Sequence, residues 1–246
     1  MSESDIRVAG KRGKLAARLP DMGTLRDYMK GSLPTPPKTF DYAPMVTGGF
    51  PMALNDSLGN CTIAGAVHFL QLAYAEIGET FAYPGDDAVR STYMGLTGGA
   101  DNGLVETDVL GKWMTDGLFG TKIAGYAPVN PKDDTEMRIA AYLFGAIYLG
   151  LEMPASAETQ FEDHQPWSLT IPKGQPVGGH CVVASGANYS GIDLITWGAE
   201  TTMTWDFWDT YGSEAYVIIP QAFVEIDHGP LYNINILQLQ EDLKAI

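Results

Sequence analysis

Cys61 stands at a position where a thiol can become reactive. It follows a polar turn, NDSLGN, and opens the long apolar segment CTIAGAVHFLQLAYAE. The first N–H groups of a helix and its dipole favour an anion, so a thiol at a helix start is expected to have a lowered pKa. The residues alone leave three roles open for Cys61: a nucleophile, one half of a disulfide, or a small core residue.

One of the four histidines is placed to act as a base for such a thiol. His180 follows PVGG and opens the apolar segment CVVASG, so a strand can hold it at the mouth of a cleft. Considered alone, it would be interpreted as a structural histidine at a strand edge. His68 shares a helix face with Cys61 but lies about 10 Å along the axis, which predicts a buried or half-buried helix residue. His164 and His228 stand beside aspartates in predicted loops, where solvated histidines are common.

The second cysteine, Cys181, directly follows His180 on the predicted strand. Successive side chains of a strand point to opposite faces, so we predict that Cys181 lies in the core as a small apolar residue. The same alternation prevents His180 and Cys181 from holding one metal ion. No other spacing of histidine, cysteine or carboxylate residues indicates a metal site. We therefore expect two free thiols, no metal and no cofactor.

The elements that must position these residues change along the chain from helices to strands. Helices are predicted over 61–78, 86–96, 106–117, 133–144 and 233–246. Strands are predicted at 146–154, 180–188, 191–198 and 214–220, with a polar loop after the first of them and a short aromatic helix at 204–211. Helices that precede strands in this way are typical of an α+β fold.

The first 50 residues differ from the rest of the chain. They carry about half of the basic residues, and the stretch LPTPPKTFDYAP at 33–44 contains four prolines, which favour an extended chain. We predict a basic N-terminal arm over 1–50 and a compact domain over 51–246. The arm either wraps the domain surface or docks on a partner, and it should contribute little to the main core.

Composition excludes several classes of partner. The 246-residue chain has 30 acidic and 15 basic residues and a formal net charge of −15, which would repel nucleic acid and anionic membrane surfaces. No apolar run is long enough to span a bilayer, and the N-terminus lacks the apolar stretch of a signal peptide. We expect a cytoplasmic protein, or a virion protein if it is phage-encoded, that no signal peptide exports.

The segment NDSLGNC also resembles the papain-like cysteine peptidases, in which the oxyanion-hole donor stands six residues before the nucleophile. The similarity continues in the same order through 101–120, 141–164, GGHCVVASGAN and 195–219, and so spans residues 50–220. It implies a papain-like α+β fold, in which a helical half that starts with the buried Cys61 helix packs on an antiparallel β half. The chain also resembles an uncharacterised group of phage- and prophage-encoded papain-like proteins that share the LPTPP arm and a TWG…MTW.FWD pattern.

The resemblance implies a role for each matching residue. Cys61 would be the nucleophile, and His180 would be the general base and then the acid that protonates the leaving amine. The Asn55 side-chain amide and the Cys61 backbone N–H would form the oxyanion hole. Trp197 would shield the His180 imidazole from water.

The sequence also departs from the family pattern. Thr62 replaces the tryptophan that usually follows the nucleophile, and Ile195 occupies the place of the asparagine that orients the histidine. Strand alternation places Ile195 and Trp197 on one face, so we expect Thr196 to point away from His180. The loss of an orienting residue would weaken catalysis, and it is also what a pseudoenzyme would show.

Two functions follow from the resemblance. The first is a thiol hydrolase that acts on peptide or related amide bonds, with a peptide or protein as substrate. The alternative is a catalytically weakened papain-like domain that serves as a virion structural, assembly or binding component. In that case residues 1–50 would dock it on another copy or on viral structural proteins, since a basic arm can pair with an acidic surface.

Overall fold

The computed structural model describes residues 7–31, 33–225 and 234–245 of the chain. The helices are α1 (Leu25–Tyr28), α2 (Cys61–Glu76), α3 (Asp86–Thr97), α4 (Glu106–Thr115), α5 (Asp134–Phe144), α6 (Ser156–Glu162), α7 (Trp205–Tyr211), α8 (Gln221–Glu225) and α9 (Ile236–Ala245), with a 3-10 turn at Ala43–Met45. The strands are β1 (Phe40–Asp41), β2 (Ile123–Pro128), β3 (Ile147–Pro154), β4 (Pro176–Ala187), β5 (Gly191–Thr196), β6 (Ala199–Thr204) and β7 (Gly212–Pro220). Most strands follow helices α2–α4, so the predicted α+β class is confirmed.

Helix α2 is enclosed by the rest of the fold over most of its length. Every residue from Cys61 to Ala73 is buried, as its almost uniformly apolar sequence predicts. The Asn60 carbonyl accepts hydrogen bonds from the N–H groups of Ile63 at 2.8 Å and Ala64 at 3.0 Å, so the helix begins directly at Cys61. No helix in the described parts of the chain is long and apolar enough to cross a membrane.

The strands form one antiparallel sheet that carries His180 near its centre. The strand order is β2-β7-β3-β4-β5-β6, and β1 pairs with β4 outside that path. On β4, His180 pairs with Leu151 of β3, and Val183 pairs with Ile195 of β5. Helix α2 packs against β4. The helix that begins with Cys61 therefore lies on the strand that bears His180.

Six of these helices and strands were not predicted from the sequence: α1, α6, α8, β1, β2 and β6. Helix α6 lies in the stretch predicted to be a polar loop, and it buries only Ala157 and Phe161. Strands β2 and β6 were also missed; β6 (AETTMT) contains one large apolar residue, Met203. Short elements of this kind depend on their neighbours more than on their own propensity, and β6 pairs with β5 along its whole length.

Residues 1–50 supply only a few members of the main core, as predicted, although parts of this region are built into the fold. Leu25, Tyr28 and Ala43 are part of that core, and β1 pairs with the end of β4. The Tyr28 hydroxyl donates to Asp242 of α9 at 2.8 Å. Residues 33–39, in contrast, form neither helix nor strand and lie at the surface, as their prolines favour. The division of the chain at residue 50 stays a prediction.

Basic residues of the N-terminal region find acidic partners within the same chain. The ion pairs are Lys11–Asp101, Arg12–Glu158, Lys14–Glu214, Arg18–Asp108 and Arg26–Asp133. The positive charge that suggested an acidic partner surface is therefore matched, at these five residues, by the chain's own acidic groups.

Candidate active site

The Cys61 thiol lies buried between α2 and β4. The Cys181 N–H donates to Cys61 Sγ at 3.4 Å, and the backbone of Gly13 also forms a hydrogen bond with the thiol. Burial raises the pKa of Cys61 to about 11, although both backbone hydrogen bonds work to lower it. The prediction of a lowered pKa is therefore wrong for this form of the protein, because the loss of water outweighs the favourable helix start.

His180 lies on β4 next to Cys181 and is fully buried. Its Nε2 is 2.7 Å from Thr196 Oγ1, whereas Nδ1 has no hydrogen-bonding partner among the described residues. Burial, and then the charges of Arg12 and His68, lower the pKa of His180 to about 3. The imidazole is therefore neutral near pH 7, and Nδ1 makes no hydrogen bond to Cys61 in this form.

Aromatic side chains enclose the His180 ring. Trp197 packs against it with ring centroids 4.7 Å apart and planes inclined by 31°, and Trp167 lies edge-on at 6.5 Å. Trp197 in turn meets Phe161 edge-on at 4.9 Å. This packing fixes the position of the imidazole with apolar contacts. The assignment of Trp197 as a shield against water stays a prediction.

Thr196 supplies the hydrogen bond to His180 that position 195 does not. The prediction that Thr196 points away from the histidine is wrong. It assumed that strand alternation continues through Trp197, but β5 ends at Thr196, and Trp197 has a φ of 46° in the left-handed region. The turn breaks the alternation, so Thr196 and Trp197 both reach His180. Ile195 is a fully buried core residue.

Replacing Thr196 by valine should lower the free energy of unfolding by about 1–3 kcal/mol, because the change keeps the side chain's shape and leaves buried Nε2 of His180 without a partner. Urea denaturation measures this loss. The matched control is Thr202→Val on β6, where the side chain is only half-buried; it should shift stability by less than about 0.5 kcal/mol. Equal losses in the two variants would contradict an orienting role for Thr196.

Asn55 directs its side-chain amide at residue 11 of the N-terminal arm. Its Nδ2 donates to the Lys11 carbonyl at 2.9 Å and to the Leu58 carbonyl at 3.1 Å. Trp197 Nε1 also donates to the Lys11 carbonyl, at 3.4 Å. Two side-chain donors thus hold one backbone carbonyl oxygen in the cleft. The assignment of Asn55 to an oxyanion hole stays a prediction.

Residues 10–15, which we call the cleft segment, run as extended backbone over the thiol. The Leu104 N–H donates to the Gly13 carbonyl at 2.9 Å, and the Leu15 N–H donates to the Leu104 carbonyl at 2.9 Å. On the other side, the Lys14 N–H donates to the Gly179 carbonyl at 3.1 Å. The cleft segment is therefore hydrogen-bonded to both walls, one next to α4 and the other on β4.

Glycines allow this close approach. A Cβ on Gly13 would lie 1.7 Å from the Gly59 carbonyl oxygen, and one on Gly179 would lie 2.3 Å from the Lys14 carbonyl oxygen. A Cβ on Gly103 would lie 2.1 Å from the Gly13 carbonyl oxygen, and Gly103 also has a φ of 77°. These distances are far below van der Waals contact, so the cleft segment can lie here only because the three positions are glycine.

Lys14 places its ammonium group in a buried acidic pocket. Its Nζ donates to Glu214 Oε1 at 2.9 Å, to the Leu15 carbonyl at 3.1 Å and to Glu152 Oε1 at 3.3 Å. The side chains of Lys14 and Glu214 are fully buried, and Glu152 is 44% exposed. Burial works to lower the pKa of Lys14, but Glu214, and then Glu106 and Glu152, outweigh it, so the pKa is raised.

Glu106 completes this pocket from the first turn of α4. It is fully buried, and neither carboxylate oxygen accepts a hydrogen bond from a nitrogen or oxygen donor among the described residues. Its Oε1 and Glu214 Oε1 each lie 2.9 Å from the point where a Cβ of Gly150 would stand. Burial, and next the charge of Glu214, raise the pKa of Glu106. Glu106, Glu152 and Glu214, with Tyr216, which donates to Glu214 Oε2 at 2.9 Å, are called the acidic pocket below.

The other predictions for cysteines and histidines have clear outcomes. Cys61 and Cys181 are both free and buried, which confirms two free thiols with Cys181 in the core. His68 is confirmed as a buried helix residue, with Nε2 2.8 Å from a backbone carbonyl oxygen. His164 is exposed just after α6, and His228 lies outside the described residues.

Comparison with known proteins identifies the fold. No protein-family model matches the sequence, and no curated protein matches it. Xylellain, a cysteine protease from Xylella fastidiosa, superposes with a TM-score of 0.62 at 12% identity, covering 87% of this chain and 98% of xylellain. A proCathepsin B from Trypanosoma congolense gives a TM-score of 0.57 at 10% identity, covering 86% and 87%. This chain has the papain-like fold. At these identities the likeness reports on the fold alone, and it confirms the predicted papain-like architecture.

Within the papain-like fold, sequence reasoning missed Thr196, the path of the cleft segment and the acidic pocket. From the sequence alone, Lys14 has no role beyond the basic arm over 1–50, and Glu106 has none beyond the start of the helix predicted over 106–117. One signal was available in SEAYVII, where Glu214 immediately precedes an apolar strand run. A carboxylate in that position requires a partner, because an unpaired buried charge is costly.

Proposed function

We propose that this chain is a papain-like thiol hydrolase that cleaves peptide or related amide bonds through Cys61 and His180. The observation that carries the proposal is the cleft segment, an extended polypeptide that lies across Cys61 with the Gly13 backbone hydrogen-bonded to the thiol. Its backbone groups pair with both walls of the cleft. A cleft that holds one extended backbone in this way is shaped to hold another, which supports a peptide or protein substrate.

The proposed reaction assigns proton transfer to Nδ1 of His180, because Nε2 is occupied by Thr196. Nδ1 takes the thiol proton as Cys61 Sγ attacks the carbonyl carbon of the substrate. The oxyanion that forms accepts hydrogen bonds from the Asn55 amide and the Cys61 N–H. The imidazolium then protonates the leaving amine, and a water molecule activated by His180 hydrolyses the thioester and frees the thiol.

In the form described here, both groups of the pair are neutral. Burial raises the pKa of Cys61 to about 11 and lowers that of His180 to about 3. Withdrawal of the cleft segment would admit water to both side chains and weaken the main cause of both shifts. Arg12, whose charge also lowers the pKa of His180, would leave with that segment. We infer that this is a form whose cleft is blocked by its own N-terminal residues.

The test is the rate at which a peptidyl epoxide labels Cys61 in the full-length chain, with Cys181→Ala as background and intact mass as readout. His180→Gln should slow labelling about a hundredfold at neutral pH, because the thiol loses its general base. Peptide cleavage should disappear in Cys61→Ser. In denaturant the parent and the His180→Gln protein should be labelled at equal rates. Native labelling rates that do not depend on His180 would contradict a working Cys–His pair.

The virion or assembly role and the relation to phage-encoded proteins stay predictions. Their physical support was the basic N-terminal arm, and five of its basic residues pair within the chain. The labelling experiment also separates the two roles. A non-catalytic assembly component should show slow labelling that is independent of His180, together with self-association or binding to a larger particle.

A further inference from the structure

We infer that the acidic pocket is a substrate subsite that selects a lysine side chain, and that Lys14 is the chain's own occupant of it. The inference rests on the proposed function, because it names a substrate class for the same cleft. The carboxylates that form the acidic pocket and the lysine that fills it come from different parts of the structure. Glu106, Glu152 and Glu214 belong to α4, β3 and β7, whereas Lys14 belongs to the cleft segment, one residue beyond the residue that contacts the thiol.

The acidic pocket matches a primary ammonium group in geometry. Three acceptors surround Lys14 Nζ at 2.9–3.3 Å, one for each ammonium proton. Two of them are the carboxylates of Glu152 and Glu214, and the third is a backbone carbonyl of the bound segment itself. The missing Cβ of Gly150 leaves the space that Glu106 and Glu214 share. The fold thus holds carboxylates around a space that fits the end of a lysine side chain.

The charge of the acidic pocket also argues for recognition of a cation. Taking two charges out of water costs about as much as their attraction returns, so a buried ion pair is a weak way to anchor a segment. Well-packed apolar side chains in place of both partners would anchor the segment equally well. Buried carboxylates are instead effective at selecting a basic substrate side chain over others. An apolar or acidic side chain in the same place leaves the carboxylates without a counter-charge.

The backbone around Lys14 fixes which substrate residue would enter the pocket. The Lys14 N–H pairs with Gly179, and its two neighbours pair with Leu104. A substrate strand on the same two walls would direct one side chain into the acidic pocket. That residue would be adjacent to the one lying over the Cys61 thiol.

Chemical rescue tests the pocket without requiring catalysis. Lys14→Ala in the full-length chain removes the side chain beyond Cβ, which n-propylammonium replaces atom for atom. We expect n-propylammonium to raise the Tm of Lys14→Ala by roughly 2–4 °C, and 1-propanol to have no such effect. The matched variant is Lys11→Ala, which removes an exposed lysine paired with Asp101. Equal shifts in the two variants, or equal shifts with 1-propanol, would overturn the inference.

Cleavage of paired peptides tests the subsite directly and does not depend on how well Lys14→Ala folds. The enzyme is the full-length Gly13→Ala variant, in which the cleft segment is weakened. Substrates carry lysine or its uncharged isostere norleucine at each position around the scissile bond. At one position we expect kcat/KM to be about a hundredfold higher for lysine, and Glu214→Gln should reduce that ratio at least tenfold.

The two experiments distinguish failure of the inference from failure of the proposed function. Equal cleavage of lysine and norleucine peptides at every position would overturn the lysine subsite and leave the hydrolase proposal standing. Rescue by n-propylammonium without cleavage of any peptide would support an ammonium pocket and count against the hydrolase.

Discussion

Replacing Gly13 by alanine is expected to raise the rate of Cys61 alkylation by iodoacetamide about tenfold to a hundredfold. The Cβ would lie 1.7 Å from the Gly59 carbonyl oxygen, so the cleft segment cannot keep its place. Overpacking of this kind costs about 1–3 kcal/mol, and each 1.4 kcal/mol changes an equilibrium about tenfold. The cost falls on the blocked form alone, so the fraction of molecules with an open cleft rises, and alkylation rises with it. Intact mass against time, with Cys181→Ala as background, measures the effect.

The control for this experiment is a glycine with free space around it. A Cβ on Gly95, in α3, would meet nothing within 4 Å, so Gly95→Ala should leave the alkylation rate unchanged. Circular dichroism of the Gly13→Ala variant must show the native content of helix and strand. A folded Gly13→Ala protein that is alkylated no faster than the parent would contradict the blocked-cleft interpretation.

Replacing Lys14 by methionine should lower the free energy of unfolding by about 3–5 kcal/mol at neutral pH. Methionine keeps most of the chain length and removes the charge, which leaves the fully buried carboxylate of Glu214 without its cation. Urea denaturation measures the loss. Lys11→Met is the matched control, because Lys11 and Asp101 are 51% and 31% exposed and such a pair contributes less than about 1 kcal/mol. Similar losses for Lys11→Met and Lys14→Met would show that the acidic pocket stays hydrated.

The destabilisation of Lys14→Met should depend on pH in a defined direction. The pKa of Glu106 is already raised above its ordinary value of 4.5, and the charge of Lys14 is among the causes that lower it. Without Lys14 the folded-state pKa rises further, so the folded protein binds more protons than the unfolded chain. Stability must then fall as the pH rises above about 4.5. The variant should therefore approach the parent near pH 4 and differ most at pH 7 and above.

The sequence by itself determined the parts of the candidate site that depend on local pattern. An apolar segment that starts at Cys61 predicts a buried helix beginning there, because a helix with no polar face must be covered on all sides. His180 at the head of CVVASG predicts a strand for the same kind of reason. The ordered resemblance from Asn55 to Trp197 then indicated that the helix and the strand would meet.

Only the tertiary structure decided what surrounds Cys61 and His180. Thr196 reaches His180 from the last residue of β5, whereas Trp197 reaches it only because its left-handed backbone breaks the strand alternation, which the sequence pattern cannot anticipate. Lys14 is buried because of Glu214, 200 residues away in the sequence, and a lysine considered with its neighbours alone is always predicted to be exposed. The pKa of Cys61 is raised because the tertiary fold buries the thiol, and burial outweighs the helix start. Each of these outcomes depends on contacts between distant parts of the chain, which local periodicity does not encode.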